Sequence, residues 1–213
     1  AARFRFLLYS VTRTIRGPEL LLTRTHPDLI RKLFTTEVPE VSSGAVEIRG
    51  VAREPGSRAK VAVASTQENV DPIGACIGQR GTRVQTVIAE LGGEKIDIIQ
   101  YDTDPARFIA NSMAPAKVSD VALDAANNVA IVHVPAEQFS LAIGRGGQNV
   151  RLAARLTGWR ISVQEGKGEM QNAEVRMQND GEDVAPEQPP VGALPPAEVP
   201  PATEAPGESP KSE

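Results

Sequence analysis

A five-residue, glycine-rich motif occurs twice in this chain, and the two copies lie 66 residues apart. The first reads IGQRG at residues 77–81 and the second reads IGRGG at residues 143–147. The match continues beyond the glycines, since Val84 aligns with Val150, and each motif precedes a segment with helical periodicity. A repeat at this spacing is the signature of duplicated structural units. The sequence therefore predicts several small domains, two of which share one fold.

The same order of predicted elements surrounds each glycine motif. A polar residue before proline marks the start of a helix, alternating apolar residues mark strands, and an i, i+3, i+4, i+7 stripe marks a core-facing helix. Each copy thus reads helix, strand, strand, short helix, glycine loop, helix, strand. The strands are predicted at 45–53, 60–65 and 95–99 in the first copy and at 118–123, 129–134 and 159–163 in the second. We expect an α+β fold in which helices pack on a three-stranded sheet.

Two further strands are predicted ahead of the first copy, at residues 3–11 and 19–24, around a turn at Gly17-Pro18. Two strands alone are marginally stable. We therefore interpret them as the end of an interrupted β-domain.

The two glycine loops, residues 78–81 and 144–147, are candidate anion sites. Glycine lets backbone approach a ligand closely, and the free N–H groups at a helix N-terminus favour a negative charge such as a phosphodiester. Neighbouring arginines and polar residues would add phosphate contacts. The candidate residues for contact with a nucleic-acid backbone are Gly78, Gln79, Arg80, Gly81, Arg83, Gly144, Arg145, Gly146, Gly147, Gln148, Asn149 and Arg151, with Arg53, Arg58 and Lys60 on the first hairpin as secondary candidates.

Charge is distributed unevenly along the chain. Residues 169–213 hold two basic and ten acidic residues, a net charge of −8, together with nine of the 17 prolines and no aromatic residue. The remaining residues carry a net charge of +4. Such a segment buries too little apolar surface to offset its chain entropy, so we expect a disordered acidic tail.

Other classes of site have little support in the sequence. The single Cys76 and two histidines provide no metal-ligand cluster and no internal disulfide, so neither a metal nor a cofactor is expected. Cys76 precedes the first loop where the second copy has Ala142, which indicates a small packing residue. No apolar run reaches the roughly 20 residues that cross a bilayer. The sequence starts without Met and without a signal-peptide pattern, so we expect a cytoplasmic protein that lacks its N-terminal region. We also expect a monomer.

Five stretches closely resemble the NusA family of bacterial transcription factors. They are LFTTEVPEVSSG at 33–44, VAREPGSRAKVAV at 51–63, DPIGACIGQRG at 71–81, GEKIDII at 93–99 and FSLAIGRGGQNVRLAARLTGW at 139–159. The resemblance covers residues 1 to about 165. It implies an OB-fold barrel that ends at residues 1–25, a first bacterial-type KH domain at 26–101, a second at 102–168 and the tail at 169–213.

The resemblance also implies a function. Members of this family bind nascent single-stranded RNA beside RNA polymerase and modulate elongation, pausing, termination and antitermination. Polymerase contact is expected mainly through an N-terminal domain that this sequence lacks. Gly146 stands where the family would place a larger, often basic residue, so we expect Arg145, Gln148, Asn149 and Arg151 to matter more in the second loop.

Two alternative functions remain open from the sequence. The chain could be the RNA-binding accessory part of a ribonuclease, although such enzymes resemble the reverse order of KH and OB-fold modules. It could also be a protein-interaction scaffold in which the glycine loops are only turns. We expect no enzyme activity, because the acidic residues outside the tail are scattered and the glycines do not complete a dinucleotide-binding fingerprint.

Overall fold

The computed structural model describes residues 3–166, which form seven α-helices and eight β-strands. The predicted disordered tail at 169–213 lies outside the described residues. The helices are α1 Pro27–Glu37, α2 Pro39–Ser42, α3 Pro72–Ile77, α4 Thr82–Glu90, α5 Pro105–Ser112, α6 Ala136–Ile143 and α7 Gln148–Thr157. The strands are β1 Leu7–Thr14, β2 Gly17–Thr23, β3 Val46–Glu54, β4 Arg58–Ser65, β5 Lys95–Gln100, β6 Asp120–Asp124, β7 Val129–Val134 and β8 Arg160–Glu165.

Strands β1 and β2 form an antiparallel hairpin whose turn differs from the prediction. Thr14 pairs with Gly17, so the turn consists of Ile15 and Arg16. The predicted turn at Gly17-Pro18 is wrong because Gly17 begins the second strand, where the Thr14 hydroxyl donates to its carbonyl at 2.8 Å. Pro18 is accommodated because this ribbon has two edges, and a strand edge tolerates a missing N–H.

Large apolar side chains are exposed on and around this hairpin. The exposed set is Phe4, Phe6, Leu8, Tyr9, Val11, Ile15, Leu20, Leu21 and Leu22. A contiguous group of this kind marks a surface that is normally covered. The hairpin therefore does not provide a core of its own.

The first copy is built around helix α1 and a three-stranded sheet. His26 caps the helix, since its Nδ1 accepts from the Asp28 N–H at 3.2 Å, and Pro27 occupies the first helical position. The sheet has the order β3-β4-β5, with β4 antiparallel to β3 and parallel to β5. Four apolar residues at helical spacing on α1 are buried in the core, namely Leu29, Ile30, Leu33 and Phe34.

The second copy repeats this arrangement with smaller side chains. Asp104 caps α5 by accepting from the Ala106 N–H at 3.1 Å, and Pro105 again begins the helix. The sheet order is β6-β7-β8, with β7 antiparallel to β6 and parallel to β8. Its core contains Ile109 from α5 and Met113, which follows the end of that helix, packed with Val132 from the central strand. The repeat detected in the sequence is thus a repeat of topology.

The two copies pack against each other through a hydrogen bond, an aromatic pair and a close approach at a glycine. The fully buried Lys60 Nζ on β4 donates to the Ala114 carbonyl at 2.6 Å. Tyr101 and Phe108 meet edge to face, with ring centroids 5.0 Å apart. At Gly50 on β3 a Cβ atom would lie 3.1 Å from Leu156 Cδ1 of α7. The copies therefore form one packed body over the described residues.

One element went unrecognised in the sequence. Helix α2 spans only Pro39–Ser42, which is too short for a periodic pattern. Its start follows from a change in backbone, because Val38 is extended (φ −119°, ψ 105°) and Pro39 then has the φ that a first helical position requires. This turn places Glu40 close to the first glycine loop.

Candidate nucleic-acid interface

The two glycine loops have nearly identical backbone conformations. Gly78 and Gly144 share φ 75°, with ψ 175° and 172°, a combination that only glycine adopts readily. Two residues later, Arg80 and Gly146 both lie in the left-handed region, at φ 54° and 57°. Glycine at 146 relieves the strain that Arg80 accepts in the first loop. The loops differ in chemistry but present the same backbone shape.

Each loop ends at the N-terminus of a helix that lacks a side-chain cap. Helix α4 begins after Gly81 and helix α7 after Gly147, and neither N-cap residue has a side chain that accepts the first N–H groups. The N–H of the first helical residue is bonded within each loop, from Thr82 to Gln79 O and from Gln148 to Arg145 O. The remaining N–H groups of the first turn satisfy their hydrogen bonds with water or with an anion. The positive end of the helix dipole adds attraction for a phosphate.

Four predicted residues present exposed groups at the loops. Gln79 and Arg80 are exposed in the first loop, and Arg145 and Gly146 are exposed in the second. Each loop thus combines an exposed arginine with uncapped backbone donors. Of the predicted residues, these four therefore lie exposed on the glycine loops themselves.

Two other predicted residues lie beneath the loops rather than on them. Arg83 and Asn149 each follow the first glycine of a loop by five positions. A Cβ at Gly78 would lie 2.7 Å from Arg83 Cγ, and a Cβ at Gly144 would lie 2.8 Å from Asn149 Cβ. The first glycine of each loop is therefore required by space as well as by backbone conformation.

Arg83 and Asn149 each donate hydrogen bonds inside the protein, whereas the buried Asn149 Oδ1 has no partner among the described residues. Arg83 Nη1 donates to Ala75 O at 2.7 Å and to Glu40 Oε2 at 2.9 Å. The Asn149 amide donates to Met113 O and Ala142 O, at 2.9 and 3.0 Å, and the residue is 2% exposed. Both side chains brace the helix that precedes the loop, which gives them a structural role.

Gln148 and Arg151 face the hairpin of the first copy. Gln148 Nε2 donates to Glu54 Oε2 and to Ser57 Oγ, both at 2.7 Å. Arg151 Nε donates to Glu54 Oε1 at 2.7 Å. These bonds hold the pKa of the Glu54 carboxyl below its ordinary value, and the bond from Arg151 has the larger effect.

The secondary candidates on the hairpin are engaged within the protein. The Arg53 side chain is 3% exposed and forms a two-pronged ion pair with the buried Glu94, at 2.8 and 2.9 Å. Arg58 makes a similar pair with Asp97, at 2.8 Å for both bonds. Lys60 is fully buried. Desolvation lowers the pKa of its ammonium group, although the nearby Asp97 carboxylate opposes this shift. Burial removes Arg53 and Lys60 from the surface available to a ligand.

Cys76 and Ala142 occupy equivalent buried positions under the two loops, as predicted, and both are 0% exposed. Burial raises the pKa of the Cys76 thiol to about 11, so the thiol is protonated near neutral pH. Within residues 3–166 no group of three or more His, Cys, Asp or Glu side chains is placed to hold a metal ion. None of the helices in that range has the length and apolar character needed to cross a membrane.

Two acidic residues that shape the interface were missed in the sequence. Glu40 pairs with Arg83 beside the first loop, and Glu54 binds three side chains of α7. Both are far in sequence from their partners, so no local pattern indicates them. A cavity of about 600 Å³ lies between Glu40 and the first loop, and its lining includes Asn69, Asp71, Gln79 and Thr82.

Comparison with known protein families identifies the two copies that carry these loops. A family model described as the NusA-like first KH domain matches residues 24–101, and one described as the NusA-like second KH domain matches residues 105–171. This part of the chain belongs to the NusA family. The predicted α+β fold with two KH domains is confirmed.

Several NusA proteins are similar to the chain over this region. Identity is 57% over 162 residues with transcription termination/antitermination protein NusA of Mycobacterium tuberculosis, covering 76% of this chain and 47% of that protein. The protein of the same description from Bacillus subtilis is 47% identical over 161 residues, covering 76% and 43%. That from Thermus thermophilus is 52% identical over 163 residues, covering 76% and 42%. The chain thus spans less than half the length of these relatives.

A solved structure has the same fold. The crystal structure of APE1850 matches with a TM-score of 0.50 and 20% identity, covering 67% of this chain and 100% of that one. At this identity the match concerns the fold alone.

Substituting the first and third residues of the second loop, Gly144 and Gly146, should have unequal effects on stability. Gly144→Ala is expected to lower the free energy of unfolding by about 2–3 kcal/mol, because the backbone is restricted to glycine. The new Cβ would also lie 2.8 Å from the Asn149 backbone nitrogen. Gly146→Ala should cost only about 1 kcal/mol, since its conformation is the one that Arg80 adopts and no atom lies within 4 Å of its Cβ position.

Urea denaturation of both variants measures this difference. The matched substitution is the same change of Gly to Ala two residues away, which keeps side-chain chemistry constant. Equal losses of stability for the two variants would contradict the argument from space and backbone conformation.

Proposed function

We propose that the chain is part of an RNA-binding transcription factor that contacts nascent single-stranded RNA at RNA polymerase. There it would modulate elongation, pausing, termination and antitermination. The observation that carries this proposal is the pair of left-handed glycine loops, each with an exposed arginine at an uncapped helix N-terminus, in NusA-like KH domains. The relatives with 47–57% identity are named transcription termination/antitermination proteins, which supports the same function.

The chemistry of the loops favours a phosphodiester backbone as ligand. Uncapped N–H groups and the exposed Arg80 and Arg145 supply donors and positive charge to phosphate oxygens. Such contacts read the backbone and not the bases. Single-stranded RNA fits better than duplex, because a narrow loop between two helices reaches a flexible backbone whose bases are free to turn toward neighbouring side chains.

Two loops on one packed body make the binding of one RNA strand to both favourable. Contacts such as those of Lys60 with Ala114 and Gln148 with Ser57 fix the second copy against the first. Fixed spacing raises the effective concentration for the second contact, so avidity exceeds either single affinity by roughly 10²-fold.

We infer the remaining organisation on the same basis. Residues 1–25 are proposed as the last part of an OB-fold barrel, which would bury the apolar side chains exposed on the β1–β2 hairpin. The KH domains are proposed at 26–101 and 102–168. RNA polymerase is proposed as a partner through a region outside this chain, and the factor is proposed to act in the cytoplasm as a monomer without catalytic activity.

Direct RNA binding tests this proposal. Fluorescence anisotropy with a labelled, unstructured RNA should give saturable binding that weakens linearly in log–log form as salt is raised. A duplex RNA of equal length should compete poorly. Absence of binding at low salt would favour the scaffold alternative.

The transcription role requires a separate experiment. Crosslinking of this chain to the transcript in a reconstituted elongation complex should place the nascent RNA on both KH domains. RNA binding in isolation without any crosslink in the complex would leave an RNA-binding module and reject the role at polymerase.

A further inference from the structure

Glu54 lies at the end of strand β3 in the first copy. Within residues 3–166, every side-chain hydrogen bond to its carboxylate comes from the second copy. It accepts from Arg151 Nε and from Gln148 Nε2, each at 2.7 Å, and Arg155 Nη1 lies 3.8 Å away. All three partners belong to helix α7, which follows the second loop. The Glu54 side chain is 22% exposed, so these bonds form at a partly desolvated junction.

Arg151 extends this contact to the second loop itself. While its Nε is bound to Glu54, its Nη1 donates to the Gly146 carbonyl at 3.1 Å. A continuous chain of hydrogen bonds therefore runs from the first copy to the middle of the second loop. The planar guanidinium fixes both bonds in one geometry, because its N–H donors form a rigid fork.

The second loop needs such support more than the first. It contains three glycines in four residues, Gly144, Gly146 and Gly147, and glycine loses more conformational freedom on ordering than any other residue. In the first loop the third position is Arg80, and the bracing side chain Arg83 finds both of its acceptors, Ala75 and Glu40, inside the same copy. The residue that corresponds to Arg151, 66 positions earlier, is Gln85.

We propose that Glu54 is a positioning residue that holds the second glycine loop in its phosphate-binding shape through Arg151. The second loop is then supported by the first copy in addition to the bracing by Asn149 of its own copy, whereas Arg83 supports the first loop from within its own copy. This inference rests on the proposed function only for its effect on RNA. The effect on loop order concerns the free protein.

Amide exchange in the absence of RNA tests the positioning role. The Gly147 N–H bonds to Gly144 O across the second loop, and the Gly81 N–H bonds to Gly78 O across the first, both at 3.1 Å. Glu54→Gln should speed exchange of the Gly147 amide by at least about fivefold and leave the Gly81 amide unchanged. The melting temperature should shift by less than about 3 °C, because partly exposed ion pairs contribute little to global stability.

The matched control is Glu47→Gln, on the same strand. Glu47 pairs with Arg49 at 2.9 Å and both side chains are about half exposed, so this variant removes an ion pair of the same charge from the same copy. It should alter neither amide. In an Arg151→Gln background, Glu54→Gln should add nothing to the exchange rate of Gly147, because the connecting guanidinium is already gone.

RNA affinity supplies the second measurement. For an RNA that reaches both loops, Glu54→Gln should weaken binding by about three- to tenfold, even though removal of a negative charge by itself favours RNA. Unchanged or tighter RNA binding would overturn the role of Glu54 in binding, and unchanged Gly147 exchange would overturn its role in positioning. If the unsubstituted protein binds no RNA while Gly147 exchange still responds to Glu54→Gln, the proposed function fails and the positioning role stands.

Discussion

Replacing Gln79, Arg80, Arg145 and Gly146 with Asp is expected to weaken binding of single-stranded RNA at least about 100-fold at about 0.1 M salt. These four residues are the exposed loop positions of the two KH domains. The variant loses two positive charges and gains four carboxylates beside helix N-termini, where a phosphate would otherwise bind. Asp tolerates the left-handed conformation of positions 80 and 146 better than most residues, so the fold should persist.

Fluorescence anisotropy titrations of the loop variant and the unsubstituted chain measure this effect, with circular dichroism to verify the fold. A control of equal charge change carries Asp at four exposed positions outside the loops: Lys32, Lys117, Ala126 and Gln164. The control should lose much less affinity, because long-range repulsion is screened within about 10 Å at 0.1 M salt. Equal losses in the two variants would show that overall charge, and not the loops, determines binding.

Glu94→Ala is expected to lower the free energy of unfolding by about 3–5 kcal/mol, since it leaves the buried Arg53 guanidinium without its partner. Glu94 is 0% exposed, and its two oxygens accept from Arg53 Nε and Nη2 at 2.8 and 2.9 Å. It also accepts from the Gly56 N–H at 2.9 Å, and Arg53 Nη1 donates to His26 O at 2.9 Å. One carboxylate thus joins the β3–β4 turn to the start of helix α1.

Chemical denaturation measures the loss, which corresponds to a fall in melting temperature of roughly 10 °C for a chain of this size. Arg107→Ala is the matched comparison, because Arg107 pairs with Asp104 at 3.0 Å but is 71% exposed. It should cost less than about 1 kcal/mol. The double variant Arg53→Met, Glu94→Leu should recover much of the loss, as it removes both buried charges. A single-variant loss below about 1 kcal/mol would mean that Arg53 gains water when Glu94 is removed.

Local signals in the sequence predict most of the secondary structure. Pro27 and Pro105 start the first helix of each copy where expected, and the apolar stripe of α4 lies on the core. Helix α2 was missed and the β1–β2 turn was misplaced, because neither has a periodic pattern. Four residues are too few for one, and Gly17-Pro18 is a turn signal that here begins a strand.

The residues of the candidate site also differ in whether a local pattern predicts their role. The glycines and the exposed Arg80 and Arg145 follow from a repeated motif, because backbone conformation at a glycine loop is a local property. The roles of Arg53, Lys60 and Asn149 do not. A cation or amide beside a motif has the same local pattern whether it faces a ligand or a buried carboxylate far along the chain.

The sequence by itself determined the duplication, the fold of each copy and the position of both loops, since these depend on residues within one local segment. Tertiary structure alone decided which charged residues are free to meet a ligand and how the loops are supported. Arg83 braces the first loop within its own copy, whereas Arg151 connects the second loop to Glu54 of the other copy. The physical reason is that an ion pair depends on distance in space, and its partners here lie 43 and 97 residues apart in sequence.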